Sequence, residues 1–379
     1  MKSTKLNVGI IIGGRSVEHD ISILSGLQVY HAIDKDKYNV TIFYINHDQE
    51  WLVGNELNDI NTYISGNFSK CNTVTLFGEN NNVYYKGVFS RPKATPIDVF
   101  IPVVHGEGVE DGTISGFLET LGGVHTNASV SASAILQDKI YTKELLSLTD
   151  IKILPFVKMS IDDDFTLKCN EIETRLDYPV IVKPSCLGSS IGIMCADNKD
   201  ELRKGIEEAF KYDEQIIVEK KLTNYKEYNL AILKDINRII PSLVEEVKPT
   251  NDILSFKDKY ENMDKMSDVS NRIIPAILPP ELEKLIKTVG IKAYQLFRLS
   301  GVVRIDFLYD EQSNLLYLNE INTIPGSLAF YLFDKLDISF TQLIDILIKN
   351  AIVTKNQQMR YIKSFKSSVL SQKGTKLTK

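Results

Sequence analysis

VVRIDFLYDEQSNLLYLNEINTIPG, residues 302–326, reads as two strands joined by a turn-forming stretch at residues 310–314. Side chains alternate faces along a strand, so Val302, Arg304, Asp306 and Leu308 share one side, as do Leu316, Leu318, Glu320 and Asn322. With residues 312–314 as the turn, Asp306 lies opposite Glu320 and Arg304 opposite Asn322. Two directly opposed carboxylates repel unless a cation sits between them. A hard divalent ion with oxygen ligands resolves the conflict, and magnesium suits it best, because it takes one or two carboxylates and fills its octahedron with water and substrate phosphates. Taken alone, the same residues also describe an ordinary hairpin with a solvated charged face. The turn that follows, Thr323-Ile324-Pro325-Gly326, places backbone N–H groups where they can point back at the site.

Working outward, strands alternate with helices through the first third of the chain, the pattern of an α/β domain with a parallel sheet. Residues 6–12 form an apolar strand, Gly13-Gly14 breaks it, and residues 16–33 carry apolar side chains at helical spacing. Residues 40–45 and 99–104 are further buried strands. The second of these runs into a polar glycine-rich loop, HGEGVEDG at residues 105–112, at a strand's C-terminal end, where open α/β sheets place their ligands. Between them, residues 46–96 are irregular, with short aromatic segments and Asn-rich turns, and suggest no function.

Composition narrows the class. A chain of 379 residues is long enough for two or three domains. With 43% hydrophobic and 25% charged residues it resembles an ordinary soluble globular protein. Its net charge of -5 gives no reason to expect nucleic acid or an anionic membrane as a partner. Four scattered cysteines, with no C-x-x-C pair, indicate neither a zinc site nor a disulfide framework, so a reduced cytoplasmic setting is expected. No apolar run reaches spanning length.

Three other segments carry candidate chemistry. YPVIVK at residues 178–183 is a strand ending in Lys183, followed by the small-residue loop Ser185-Cys186-Leu187-Gly188-Ser189-Ser190-Ile191-Gly192. A lysine beside such a loop suits a polyphosphate, since small residues let backbone N–H groups approach the oxygens. The order of a Walker A loop is absent, so P-loop and Rossmann readings fail, and a plain hairpin turn is the competing reading. Residues 216–218 form a buried strand ending in Glu219-Lys220. Residues 248–272 are polar and charged, fitting either a lid over a site or a plain loop.

Taken in order, GGRSVEHDISILSG (residues 13–26), HGEGVEDGTISGFLE (105–119), Asp138-Lys139, VIVKPSCLGSSIGI (180–193), VEKKL (218–222), RIDF (304–307) and NEINTIPG (319–326) resemble the D-alanine:D-alanine ligases of the ATP-grasp superfamily. The likeness covers the chain to about residue 350. It implies α/β and α+β architecture: a three-domain ATP-grasp fold with an N-terminal parallel-sheet domain at residues 1–127, a central subdomain at 128–219, a C-terminal subdomain at 220–353 and a basic tail at 354–379.

The resemblance also implies roles. Lys139 and Lys183 match the phosphate-contacting lysines, and Ser189, Ser190 and Ile191 the lid over the phosphates. Glu219, Lys220 and Leu222 match the adenine linker, and Glu227 the ribose contact, the last with one inserted residue. Asp306, Glu320 and Asn322 match the ligands of two Mg2+ ions, for which Mn2+ can substitute. Arg304 and the N–H of Gly326 match the stabilisers of a tetrahedral oxyanion. Glu18 matches the residue holding the first substrate's ammonium, with His105 and the acidic pair Glu110 and Asp111 beside it. Lys259 would reach the transferred phosphate, and Tyr260 would latch to Ser189 and Glu18. A tyrosine there resembles the dipeptide-forming members rather than those making a D-lactate ester.

Beyond Gly326 the chain departs from the family. Where the pattern has Met-Thr and then a Ser-Leu pair for the second D-alanine's carboxylate, this chain reads Ser327-Leu328-Ala329-Phe330-Tyr331-Leu332-Phe333, with Tyr331 at the usual serine and Ser327 just after the turn. A phenol can still donate to a carboxylate but fills more volume. The expectation is therefore a cytoplasmic, homodimeric ATP- and Mg2+-dependent ligase making D-alanyl-D-alanine for the cell wall. Two alternatives stay open: a ligase with a different acceptor, and a non-catalytic ATP-binding protein.

Overall fold

The computed structural model describes residues 5–88, 94–106, 108–188, 191–248 and 272–362. Three sheets organise it.

The first is built from Leu6–Gly13 (β1), Tyr38–Ile45 (β2), Trp51–Val53 (β3), Asn72–Glu79 (β4), Asn82–Gly87 (β5), Thr95–Ile97 (β6) and Val99–Pro102 (β7), in the order β6-β5-β4-β3-β2-β1-β7. Only β1 is parallel to its neighbours, β2 and β7; the other pairs are antiparallel. Strand β1 therefore reads as a continuous apolar run, and Val8, Ile10, Ile11 and Ile12 are all fully buried. At its end Gly13 has φ +86, and a Cβ there would sit 2.2 Å from the Ile45 carbonyl oxygen. Only glycine lets the chain leave the sheet so close to β2. The helix that follows, His19–Ala32 (α1), starts three residues later than the apolar spacing predicts, because residues 16–18 form a turn that sends Glu18 toward the glycine-rich loop. The segment that carries no clear pattern, residues 46–96, supplies β3 to β6 and the short helix Ile60–Ser65 (α2), extending the sheet outward.

Three helices, Thr113–Thr120 (α3), Val130–Gln137 (α4) and Lys139–Ser147 (α5), lead to the second sheet. It comprises Phe156–Ser160 (β8), Val180–Pro184 (β9), Met194–Ala196 (β10) and Gln215–Lys220 (β11), antiparallel throughout in the order β10-β9-β11-β8. Its inner face buries Val157, Val180, Val182, Ile216 and Val218 against Phe165–Leu176 (α6) and Lys199–Ala209 (α7). The alternate residues Ile181, Lys183, Ile217 and Glu219 therefore face the other way.

The third sheet runs β14-β13-β12-β15-β16, from Tyr225–Asp235 (β12), Arg238–Val247 (β13), Arg272–Ile273 (β14), Val302–Asp310 (β15) and Leu315–Asn322 (β16), with Pro280–Leu296 (α8) against one face. The last helix, Phe340–Gln358 (α9), is closed at its start by a capping box between Ser339 and Gln342. It packs Leu343, Ile344, Leu347 and Ile348 into the same core as β1, together with Leu328, Ala329, Leu332 and Phe333. The segment after Gly326 is thus clamped between the N-terminal and C-terminal parts of the molecule. Thr341 Oγ1 donates to the Ala32 carbonyl at 2.7 Å across that junction.

Candidate active site

The β15–β16 hairpin has the expected pairs, Arg304 opposite Asn322 and Asp306 opposite Glu320, but reaches them differently. The strands end at Asp310 and Leu315, so the turn is residues 311–314, one residue longer than expected. A β-bulge between Asp306 and Phe307 then absorbs Asn319 and restores the register at the site. It also corrects the face of two residues. Leu316 and Leu318 do not share a side with Glu320; they turn into the core with Ile305 and Phe307, where all four are buried.

Register places Glu245, Asn229, Asp306 and Glu320 in one row across β13, β12, β15 and β16. Glu227 lies two residues from Asn229 on the same face of β12. Arg304 donates from Nε to Asp306 Oδ1 and from Nη2 to Asp306 Oδ2, both at 2.7 Å. That fork uses two of the five guanidinium N–H groups. Asn322 Nδ2 donates to Asp306 Oδ2 at 3.0 Å and reaches Glu320 Oε1 at 3.5 Å. Burial and the facing Glu320 push the Asp306 carboxyl up to about 6 against the pull of Arg304. The row sets the oxygen donors of Asp306 and Glu320 face to face, and a hard divalent cation is what such donors accept.

On the second sheet, Glu219 is fully buried between two lysines: Lys183 Nζ is 2.5 Å from Oε2 and Lys143 Nζ 2.5 Å from Oε1. The Lys143 contact lacks hydrogen-bond alignment, so it is an ion pair held by distance alone. Lys139, one helical turn before Lys143 on α5, directs Nζ to the carbonyls of Leu187 and Ser185. Asp138 caps this helix, accepting from Ile140 N and Tyr141 N, and takes a 2.6 Å hydrogen bond from Ser185 Oγ. Burial lowers Lys139 and Lys143 from the usual lysine range; Lys183 is raised because Glu219 outweighs its burial. Glu219 is held down at about 2, its burial overcome by the two lysines. Glu320 acts electrostatically on all three lysines, so the hairpin and the second sheet face one site. Three lysines, Lys143 buried and Lys139 and Lys183 partly so, against one internal carboxylate make a seat for a polyanion. In the linker, the N–H groups of Lys220 and Lys221 donate at 3.0 Å to the carbonyls of Pro155 and Pro179, and Leu222 follows them.

The N-terminal side closes the site. Ser16 Oγ donates to the His105 carbonyl at 2.7 Å and accepts from Glu18 N at 3.1 Å, tying the two loops. Cβ atoms built on Gly106 and Gly188 would lie 3.2 and 3.5 Å from Glu18 Oε2, so this buried carboxylate sits between the HGEGVEDG loop and the small-residue loop of the second sheet. Gly106, at φ +82, allows that approach. Glu110 Oε2 accepts from Gly106 N at 2.9 Å while Oε1 lies 3.8 Å from His105 Nδ1. Asp111 Oδ2 accepts from Gly108 N at 3.0 Å, a loop-closing role. Burial pushes the His105 imidazole down, yet Glu110 and Glu18 together raise it above its ordinary value.

Ser25, within the quoted N-terminal motif but not singled out by it, joins this loop to the segment after Gly326. Its Oγ accepts from Ser327 N at 3.2 Å and contacts His105 Nε2 at 3.3 Å. Ser25→Ala is expected to cost about 1–3 kcal/mol of stability, the range for a buried polar group left unpaired. Denaturant unfolding checks it, and an unchanged midpoint would remove Ser25 from the network.

Gly326 borders open space, with nothing within 4 Å of a built Cβ. Tyr331 does not turn its hydroxyl outward: it donates to Glu245 Oε2 at 3.3 Å. Ile191 begins the next described segment, its N–H donating to Gly188 O at 3.2 Å. Ser189, Ser190, Lys259 and Tyr260 lie outside the described residues.

Two sequence profiles match the chain, "D-ala D-ala ligase N-terminus" over residues 7–127 and "D-ala D-ala ligase C-terminus" over residues 145–349. A D-alanine--D-alanine ligase of Thermosipho africanus is 36% identical over 349 residues, covering 91% of this chain and 93% of the relative. That of Chlorobium limicola is 34% identical over 362 residues, covering 92% and 97%. Among solved structures, the D-alanine-D-alanine ligase of Coxiella burnetii superposes with a TM-score of 0.81 at 24% identity, covering 94% of this chain and 97% of that one. The VanG D-Ala:D-Ser ligase of Enterococcus faecalis gives 0.78 at 26% identity, covering 92% and 100%.

Proposed function

The chain belongs to the D-ala D-ala ligase family and is an ATP-dependent ligase, and we propose that it joins two D-alanines through an acyl phosphate, with the site residues above in the following roles. A carboxylate is a poor electrophile, so the γ-phosphoryl group of ATP is transferred to the carboxylate of the first D-alanine. The amine of the second attacks that carbon, the C–O bond to phosphate breaks, and the amine loses a proton. What supports this reading is one juxtaposition: Glu320, paired with Asp306 across the hairpin, acts electrostatically on Lys139 and Lys183 of the second sheet.

Lys139 and Lys183 hold the phosphates, and the family resemblance supports a lid role for Ser189, Ser190 and Ile191. Leu222 and the carbonyl side of the Glu219-Lys220 linker meet the adenine, and Glu227 meets the ribose. Asp306, Glu320 and Asn322 would hold Mg2+, whose preference for oxygen donors they meet. Bound magnesium neutralises phosphate charge. Glu18 receives the first substrate's ammonium, with His105 and Glu110 fixing the loop beside it. Arg304, through the N–H groups not given to Asp306, and Gly326 N–H stabilise the oxyanion. For Lys259 and Tyr260, outside the described residues, the family resemblance supports contact with the transferred phosphate and with Ser189 and Glu18 respectively. A cytoplasmic homodimer completes the reading.

The departure at Tyr331, with a D-Ala:D-Ser ligase among the similar structures, supports a second reading in which the acceptor is another small D-amino acid. Phosphate release from ATP and Mg2+ with D-alanine, D-serine and D-lactate, singly and paired, tests both. Release with D-alanine alone, yielding the dipeptide by mass, is the expected result. Release only with a mixed pair favours the second reading, and no release with any pair overturns both.

A further inference from the structure

One carboxylate on the site face has no part in the roles above. Glu245, in the row that contains Asp306 and Glu320, is completely buried. Its Oε2 accepts from Asn229 Nδ2 at 3.0 Å and from the Tyr331 hydroxyl at 3.3 Å. Its Oε1 takes no hydrogen bond among the described residues and lies 3.5 Å from Arg272 Nη1. The Arg272 guanidinium stands 5.4 Å over the Tyr331 ring, within cation–π range, and half of its side chain stays exposed. Tyr331 thus lies within the electrostatic reach of both Arg272 and Arg304, the latter already forked onto Asp306.

Geometry assigns these groups unequal work. The phenol at position 331 has one proton, and Glu245 takes it. A substrate carboxylate arriving beside Tyr331 would meet the oxygen's lone pairs and the Glu245 charge behind it, which repel it. Among the described residues Arg272 meets one carboxylate, Glu245, at 3.5 Å, and half of its side chain is exposed. We propose that Arg272 is the residue that binds the α-carboxylate of the acceptor amino acid, with Glu245 and Tyr331 as the positioning residues that hold the guanidinium over the site. The assignment rests on the ligase reading, and accounts for the bulky residue at 331: the ring is the platform of an arginine rather than a hydroxyl donor. Arg272 sits on β14 at the sheet's edge, paired through Val247 to the row's own strand, so its backbone is fixed by the same ladder. A planar fork on an aromatic face is preorganised for a carboxylate, where lysine is not.

The test is a competition between two acceptors. D-Alaninamide has an amine but no carboxylate to activate or to bind, so it can enter only as acceptor. With ATP, Mg2+ and equal D-alanine and D-alaninamide, the ratio of D-alanyl-D-alanine to D-alanyl-D-alaninamide is read by mass. The unmodified chain is expected to prefer D-alanine, and Arg272→Met to cut that preference roughly tenfold or more, as loss of a charge-assisted hydrogen bond implies. A purely structural role for Arg272 would lower both products together and leave the ratio where it was. Arg272→Lys should retain part of the preference, and Tyr331→Phe should shift it less than Arg272→Met does. A ratio unmoved by Arg272→Met, or one that collapses in Tyr331→Phe alone, overturns the assignment. If the unmodified chain forms neither product, the ligase reading itself has failed.

Discussion

Glu320→Gln is expected to lower turnover by roughly 10^2–10^4-fold, the loss that follows when several kcal/mol of charge stabilisation is withdrawn. The substitution keeps size and shape, and Glu320 is only partly buried on a strand whose core contacts come from Leu316, Leu318 and Ile321. Thermal unfolding of the ligand-free chain should therefore be preserved. Its direction can be stated further. Asp306 is raised to about 6, with Glu320 one of the causes, and a carboxyl raised in the fold makes folding less favourable as pH climbs from about 4 toward 6. Burial is the larger cause of that cost, and removing the facing charge relieves the remaining part at neutral pH. The variant should be at least as stable as the parent without metal and should gain less from added Mg2+. Activity close to the parent's, or undiminished stabilisation by Mg2+, would sink the metal assignment.

The pairing that creates this site was legible because a two-residue period and a short turn leave few registers open. Yet the correct pairs arose through two departures that cancel at the site, a longer turn and the bulge at Asn319. Nothing local marks a bulge, and the cost of missing it was the face of Leu316 and Leu318. Strands β3 and β6 are three residues each, too short to show any period, so part of residues 46–96 stayed unreadable. Ser25, Glu245 and Arg272 escaped for a different reason: each acquires its role from partners brought in by register or chain return, as when Ser25 meets Ser327. Lys143 did leave a signal. It stands four residues after Lys139 on one helix, the spacing that puts two side chains on a common face.

That lysine sets the second large effect. Lys143→Met is expected to destabilise the protein by about 3–5 kcal/mol, the range for removing one partner of a buried ion pair. Methionine fits the volume but leaves Glu219 Oε1 with no counter-charge in a fully buried place. The pH dependence gives an independent measure. Glu219 is depressed to about 2 from an ordinary 4.5, so its contribution is fully present above pH 4.5 and is lost as pH falls toward 2. That depression is the joint effect of Lys143 and Lys183 working against burial. In Lys143→Met the acid-sensitive part should shrink, because Lys183 alone holds the carboxylate. Function should suffer through the same pair. With Lys143 present, two cations share one anion and Lys183 has charge to spare for a phosphate; without it, Lys183 is bound to Glu219, and the KM for ATP should rise. Glu219→Gln placed on top of Lys143→Met removes the stranded charge, and should recover most of the lost stability. Unfolding of the two variants across pH 3–7 decides it: a single substitution costing under about 1 kcal/mol, or a double no more stable than the single, would mean that the ion pair does not hold the lysine cluster together.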